Sequence, residues 1–305
     1  MGKLSVVISA YNEELKINKC LESVKKIADE IIFIDNTSTD KTAEIAKKAG
    51  AKIFVRENNP MLNINKNFGI SKATLDWILY LDADEQVSPE LAIEIKSMLN
   101  EKSETDGYRI PRKNIIFGKW IEHAGWYPDY QLRFFRNGKV KFPEGHVHEE
   151  LTMKGKMGKL TNPLVHSNFE TVSQFLHKHF LTYAPNEAEQ LIKNGYVFNW
   201  QDAIKMPANE FLSRFFARQG YKDGFHGLVL SLLMGFYHFI IFTLIWEKYG
   251  FEQVNSKDFI KETEKEFDKV NKDLSYWFLS EKIKNIRNPL KKINARLFRK
   301  IRLFR

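Results

Sequence analysis

The chain has 305 residues, room for one large domain or two modest ones, and its 43% apolar and 28% charged content builds a core and excludes wholesale disorder. Its 47 Lys and Arg against 38 Asp and Glu give a net charge of +9, which invites a nucleic-acid or anionic-membrane partner. The single cysteine, Cys20, excludes a disulfide scaffold and any multi-cysteine zinc or iron–sulfur site.

The start, Met1-Gly2-Lys3-Leu4-Ser5, runs into a strand-like stretch without the long apolar core of a signal peptide, so a reduced, cytosol-facing protein is expected. Short apolar runs at 4–8, 31–34, 52–55 and 77–81 read as buried strands. Helical stretches fall at 13–27 and 41–49, the second closed by Gly50. That alternation predicts an α/β fold with a parallel, doubly wound sheet, in which ligands bind beyond the C-terminal strand ends. Polar loops stand at those ends: Ser9-Ala10-Tyr11-Asn12-Glu13-Glu14, Asp35-Asn36-Thr37-Ser38-Thr39-Asp40 and Asp82-Ala83-Asp84-Glu85. Each can serve as a turn or cap, but three carboxylate-bearing loops on one edge point to a shared site. The glycine-rich fingerprints of dinucleotide and P-loop sites are missing after the first strand. Asp82 and Asp84, directly beyond a buried strand, form a hard-oxygen site for Mg²⁺ or Mn²⁺, and the helix after Ser88-Pro89 is capped by Ser88 itself.

Further along, Trp120, Trp126 and Tyr127 are candidates to stack on sugar rings or to pack beside Phe117. His146-Val147-His148 is a weak zinc signal without a third nitrogen or sulfur ligand. Residues 171–221 have helical spacing, with Phe211, Phe215 and Phe216 on one face and Arg214 and Arg218 opposite. Residues 224–246 hold no Asp, Glu, Lys or Arg and reach the length of a spanning helix. Gly227, Ser231, Gly235 and His238 form one small and polar stripe along it, suited to face protein while the rest faces lipid. A membrane-embedded or in-plane helix is expected, with a true span as the alternative. The Lys- and Glu-rich stretch 251–280 reads as a solvated helix. Ten of the basic residues and one acid, Glu281, lie in 281–305; removing them from the totals leaves 37 of each sign, so the tail holds the entire excess charge. There Leu290, Ile293, Leu297, Ile301 and Phe304 recur on one helical face after Asn288-Pro289, a basic amphipathic helix suited to an anionic bilayer rather than to nucleic acid.

The strings SVVISAYNEE, IIFIDNTSTDKTAEIAKKAGAKIF and NKNFG…WILYLDADEQVSPEL resemble the family 2 glycosyltransferases with the GT-A fold. The likeness continues through GWYPDYQLRFFRNG, HVHEEL, LVHSNF and the later F-L-x-R-x-x-x-R-x-G-Y-x-D-G-F-x-G-L stretch, a set similar to the lipopolysaccharide-core β-glucosyltransferase branch. It implies a GT-A type, mostly parallel doubly wound sheet flanked by helices in a catalytic domain at 1–224, with a helical acceptor-side part from about 171; the apolar and basic patterns above make 225–305 a helical membrane-associating region. It implies that Ala10, Tyr11, Asn12, Glu13 and Asp35 hold the base and ribose of a nucleotide-diphosphate sugar, although relatives often place Asp or Ser then Gly where this chain has Asn36-Thr37. It implies a cationic Lys66 near the nucleotide, a divalent cation at Asp82 and Asp84 with Asp84 the direct ligand, and His166 completing it. Either Asp129 or Glu149 would be the base, motif order favouring Asp129, with Trp126, Tyr127 and His148 as acceptor or sugar contacts. The implied reaction is inverting hexosyl transfer from a UDP-glucose-like donor to a lipid-linked or cell-envelope glycan at the cytoplasmic side of the membrane. A nucleotidyltransferase and a non-catalytic membrane adaptor are the alternatives.

Overall fold

Buried, largely apolar runs make the first strands, and amphipathic segments between them make the helices. In chain order these are β1 (Leu4–Ala10), α1 (Ile17–Val24), β2 (Glu30–Asp35), α2 (Thr42–Lys48), β3 (Lys52–Val55), α3 (Leu62–Ser71), β4 (Trp77–Asp82), β5 (Glu85–Val87) and α4 (Pro89–Asn100). The computed structural model describes residues 2–59, 62–101, 103–143, 151–254 and 257–304. Strands β6 (Gly107–Ile116), β7 (Lys119–Trp120), β8 (Asp129–Arg136), β9 (Val140–Lys141), β10 (Thr152–Met153), β11 (Met157–Lys159) and β12 (Leu164–Phe169) follow.

The main sheet runs β3-β2-β1-β4-β8-β6-β12-β5, with β7 and β11 also paired to β6. Strands β3, β2, β1 and β4 are parallel, β8 enters antiparallel between β4 and β6, and β12 returns parallel to β6. This is the α/β sheet expected from the sequence, parallel in its first half and mixed in its second. Alternation along β1 sends Leu4, Val6 and Ile8 to one face, where Ile17, Cys20, Leu21 and Val24 of α1 and Leu91, Ile95 and Leu99 of α4 cover them. Val7 and Ile34 face the other side, under α3, where Gly69 lies so close that a Cβ would stand 2.8 Å from Val7 and 2.9 Å from Ile34. Helix α4 starts as expected, Ser88 Oγ accepting from Leu91 N at 3.2 Å with Pro89 in the first turn.

The chain forms two compact units, one of residues 1–120 and 126–170, the other of 121–125 and 171–305. The division expected at 224/225 therefore falls inside the second unit, because the long apolar helix packs on the helices before it. That unit contains α5 (Val172–Leu176), which continues as a π-helical stretch His177–Tyr183, then α6 (Ala184–Lys193), α7 (Asp202–Leu212), α8 (Phe225–Lys248), α9 (Phe259–Lys284) and α10 (Pro289–Phe304). The small stripe of α8 does face protein. A Cβ on Gly227 would meet Gly220 O at 1.8 Å, one on Gly235 would meet Pro207 O at 2.9 Å, and Ser231 Oγ donates to Gly227 O at 2.6 Å. His238 lies 3.8 Å from Glu210. Phe225, Leu232 and Phe236 are exposed, and less than half of the helix's most apolar stretch is buried. The five-residue insert is held within this unit: Ala124 N donates to Arg218 O at 2.8 Å, and the buried Asp223 accepts from His123 N at 2.8 Å and from Glu122 N at 3.3 Å.

Candidate active site

The ends of β1 and β2 are laced into one surface. Ala10 pairs with Asp35 in register, and Asn36 N donates to Ala10 O at 2.9 Å. Asn12, in left-handed backbone at φ 53°, donates its N–H to Ser38 Oγ at 3.1 Å and accepts from Thr39 N at 2.8 Å. Asp35 is buried and accepts from Ser38 N at 3.1 Å; Glu13 N donates to Thr42 Oγ1 at 2.7 Å, and burial raises the Glu13 pKa. Tyr11 is left exposed, its ring open to a planar ligand. Asn36 ties β1 and α3 to this loop. Its Nδ2 reaches Ser9 Oγ at 3.1 Å, and its Oδ1 accepts from Asn65 Nδ2 of α3 at 2.7 Å.

Beyond β4 the residues form a chain of charges. Lys66 of α3 lies 3.5 Å from Asp82 Oδ1, and Arg133 of β8 grips Asp82 Oδ2. Arg133 Nη2 also donates to Glu85 Oε1 at 2.9 Å, and Glu85 Oε2 accepts Asp82 N at 3.0 Å. Arg112 of β6 stands 3.6 Å from Glu85 and donates through Nε to Asp129 Oδ2 at 2.8 Å. Burial opposes the charge on Asp82, yet Arg133, Lys66 and Arg112 outweigh it and hold the carboxyl far below its ordinary range. Burial likewise opposes ionised Arg133, which Asp82 and Glu85 push upward. Asp129, at the start of β8, also accepts from Gln131 Nε2 at 2.9 Å, and against burial Arg112 and Gln131 lower its pKa.

Asp84 is placed differently. Its Oδ2 lies 3.5 Å from His166 Nε2 of β12, while His166 Nδ1 lies 2.7 Å from Asn114 Oδ1. Burial works against the Asp84 charge, and the His166 ring beside it brings the pKa below the ordinary value. A carboxylate oxygen and an imidazole nitrogen facing each other fit a divalent cation such as Mg²⁺ or Mn²⁺ as two of its ligands. Among the described residues no group of three or more His, Cys, Asp and Glu side chains gathers to hold a metal. The Asp82 carboxylate beside this pair is engaged by Arg133 and Lys66. Trp126 O accepts from Asn114 Nδ2 at 2.7 Å, and Tyr127 packs edge-on to Trp120 at 5.5 Å between centroids. His146, His148 and Glu149 lie outside the described residues.

Residues 5–153 match the glycosyl transferase family 2 domain. An uncharacterized glycosyltransferase of Rickettsia typhi is 30% identical over 254 residues, 79% of this chain and 85% of that one. The chain belongs to glycosyl transferase family 2. A lipopolysaccharide core biosynthesis glycosyltransferase, LpsC of Rhizobium meliloti, is 26% identical over 253 residues, covering 81% of this glycosyltransferase and 93% of LpsC. Among solved structures, glucosyl-3-phosphoglycerate synthase of Mycobacterium tuberculosis, in complex with Mn²⁺, UDP and glucosyl-3-phosphoglycerate, is similar at 16% identity and a TM-score of 0.43, over 65% of this chain and 82% of that one. As a family 2 enzyme the glycosyltransferase uses a nucleotide sugar, which sets aside the nucleotidyltransferase and adaptor alternatives.

Three side chains beside the groups of this site escape a reading of motifs: Asn65, Arg112 and Asn114. One signal was present. Tyr108, Ile110, Arg112, Asn114 and Ile116 share one face of β6, so two polar residues stand where alternation calls for apolar ones.

Proposed function

We propose that the protein is an inverting, divalent-cation-dependent hexosyltransferase acting from a UDP-glucose-like donor on a hydroxyl of a lipid-linked or envelope glycan. The observation that carries this reading is the Asp84–His166 pair, two acceptors 3.5 Å apart beyond the sheet end whose neighbouring loops suit a nucleotide. In this reading Ala10, Tyr11, Asn12, Glu13 and Asp35 bind base and ribose, and Lys66 stands near the diphosphate. Asp82 serves the nucleotide side and keeps Lys66 and Arg133 in place. When bound, the cation held by Asp84 and His166 would neutralise charge on the departing diphosphate.

The acceptor hydroxyl needs a carboxylate with a lone pair to spare and a pKa not far below the working pH. Asp129 Oδ2 is taken by Arg112 and approached by Asn114 Nδ2 at 3.4 Å, and Oδ1 takes Gln131. Those partners hold the Asp129 carboxyl below its ordinary value and make it a weaker base, which turns the preference from Asp129, favoured by motif order, to Glu149. Trp126, Tyr127 and His148 remain the proposed sugar contacts. The name of LpsC supports an envelope glycan as acceptor.

A panel of uridine, guanosine and thymidine diphosphate sugars, assayed with Mg²⁺ or Mn²⁺ and with chelator, tests the reading. Binding and slow cation-dependent hydrolysis of one donor is expected. No binding, or turnover indifferent to chelation, would sink it.

We place the enzyme at the cytoplasmic face of the membrane, peripheral or monotopic. Helix α10 supports this: Leu290, Ile293, Leu297 and Phe298 are exposed beside Lys291, Lys292 and Arg296. Deleting 288–305 should weaken binding to anionic liposomes in a salt-sensitive way, and undiminished binding would remove the tail from membrane attachment.

A further inference from the structure

Asn114 of β6 is 1% exposed, and its surroundings fix which way its amide points. Nδ2 donates to the Trp126 carbonyl at 2.7 Å, a group that only accepts. The amide oxygen is therefore the atom beside His166 Nδ1, at 2.7 Å. An amide oxygen cannot donate, so Nδ1 carries the hydrogen. In the neutral ring that places the lone pair on Nε2, the nitrogen that faces Asp84 Oδ2 at 3.5 Å. Two acceptors turned toward each other in this partly buried place are unfavourable unless a cation or a proton lies with them.

We propose that Asn114 is a positioning residue that holds His166 in the Nδ1–H tautomer and so aims the Nε2 lone pair, beside the Asp84 carboxylate, at a divalent cation. The inference rests on the reading of Asp84 and His166 as a metal pair. It adds the partner that makes the imidazole a ligand: a metal-binding histidine commonly donates its other N–H to a fixed acceptor, which sets ring orientation and tautomer. His166 is itself buried, so water is poorly placed to substitute for the amide. Asn114 Nδ2 also lies 3.4 Å from Asp129 Oδ2, so the residue that orients the imidazole also touches the start of β8.

The test uses the full chain and Mn²⁺ alone as probe. In metal-free wild-type protein at pH 9, long-range ¹⁵N–¹H correlation should show His166 with hydrogen on Nδ1; hydrogen on Nε2 would overturn the inference without any variant. Asn114→Leu should weaken Mn²⁺ by about 10–100-fold, measured by paramagnetic resonance. Asn114→Asp keeps an acceptor for Nδ1–H while losing the donor to Trp126 O, so it should bind Mn²⁺ more tightly than Asn114→Leu. A merely structural role would lower both affinities alike, and equal losses refute the assignment. If wild type binds no Mn²⁺, or His166→Ala leaves binding unchanged, the metal reading itself fails and takes the inference with it. If His166→Ala weakens Mn²⁺ and Asn114→Leu does not, only the role of Asn114 is lost.

Discussion

Arg133 in the first unit and Arg214 in the second are both buried guanidinium groups beside carboxylates, yet their surroundings push them in opposite directions. Burial opposes the charge on Arg133, but Asp82 and Glu85 more than offset it; around Arg214 burial prevails although Glu210 pairs with it. The same contrast appears in the ring of His179, 4.0 Å from Phe175 between centroids, where burial brings the pKa down to about 4. The first unit keeps its buried groups ionised and matched, as a site that handles phosphate charge requires. The second is an aromatic interior in which charge is tolerated at most as a pair.

The largest test of that contrast removes the carboxylate that faces the His166 ring. Asp84→Ala should lower turnover by about 10³-fold, as chelation should, because several kcal/mol of charge stabilisation depend on the cation. Turnover close to wild type would remove Asp84 from the reaction. Next in size, Glu149→Gln should cost about 10²–10⁴-fold in kcat, with the acidic limb of the pH profile altered, and Asp129→Asn clearly less. The reverse order would return the base to Asp129.

Glu85→Gln leaves the buried Arg133 and the partly buried Arg112 short of a counter-charge. A loss of about 3–5 kcal/mol in unfolding free energy is expected, and a loss under 1 kcal/mol would show the chain of charges to be ornamental. The smallest effect concerns acid. His179 is depressed from 6.5 to about 4, so its contribution is complete above pH 6.5 and lost as pH falls through about 4. Glu30 is opposed by burial but accepts from Ser5, Thr74 and Lys52 and is brought from 4.5 to about 2, so its contribution is complete above pH 4.5 and lost on approach to pH 2. Each is worth at most about 3 kcal/mol. Hydrogen exchange should therefore show the second unit loosening first between pH 6.5 and 4, and His179→Phe should remove that step. Simultaneous loosening of both units would break the comparison.

What the sequence made legible was local. The apolar runs of β1, β2 and β4, the Ser88 cap and the small stripe of α8 each depend on neighbours a few residues away, and periodicity reports those directly. Asp82 and Asp84 stand out because strand ends collect polar residues, whereas His166 enters only through the family resemblance. Arg133 and Glu85 meet across 48 residues, and Arg112 and Asp129 across 17. Such pairings depend on which strands become neighbours, here β8 inserted antiparallel beside β4, which no local pattern announces. The 224/225 division comes from reading 224–246 as a separate apolar segment, whereas Gly227 and Gly235 lie against Gly220 and Pro207.

The insert at 121–125 means that the two units are not successive modules. Its hydrogen bonds run to Arg218 and Asp223, and Ala124 sits in left-handed backbone at φ 57°, a conformation that needs such support. A chain cut after Glu170 would keep the whole sheet but orphan those five residues, which lead directly into Trp126, Tyr127 and Asp129. Exchanging the helical half between relatives, to move membrane preference without touching chemistry, would thus require carrying this short stretch along with it.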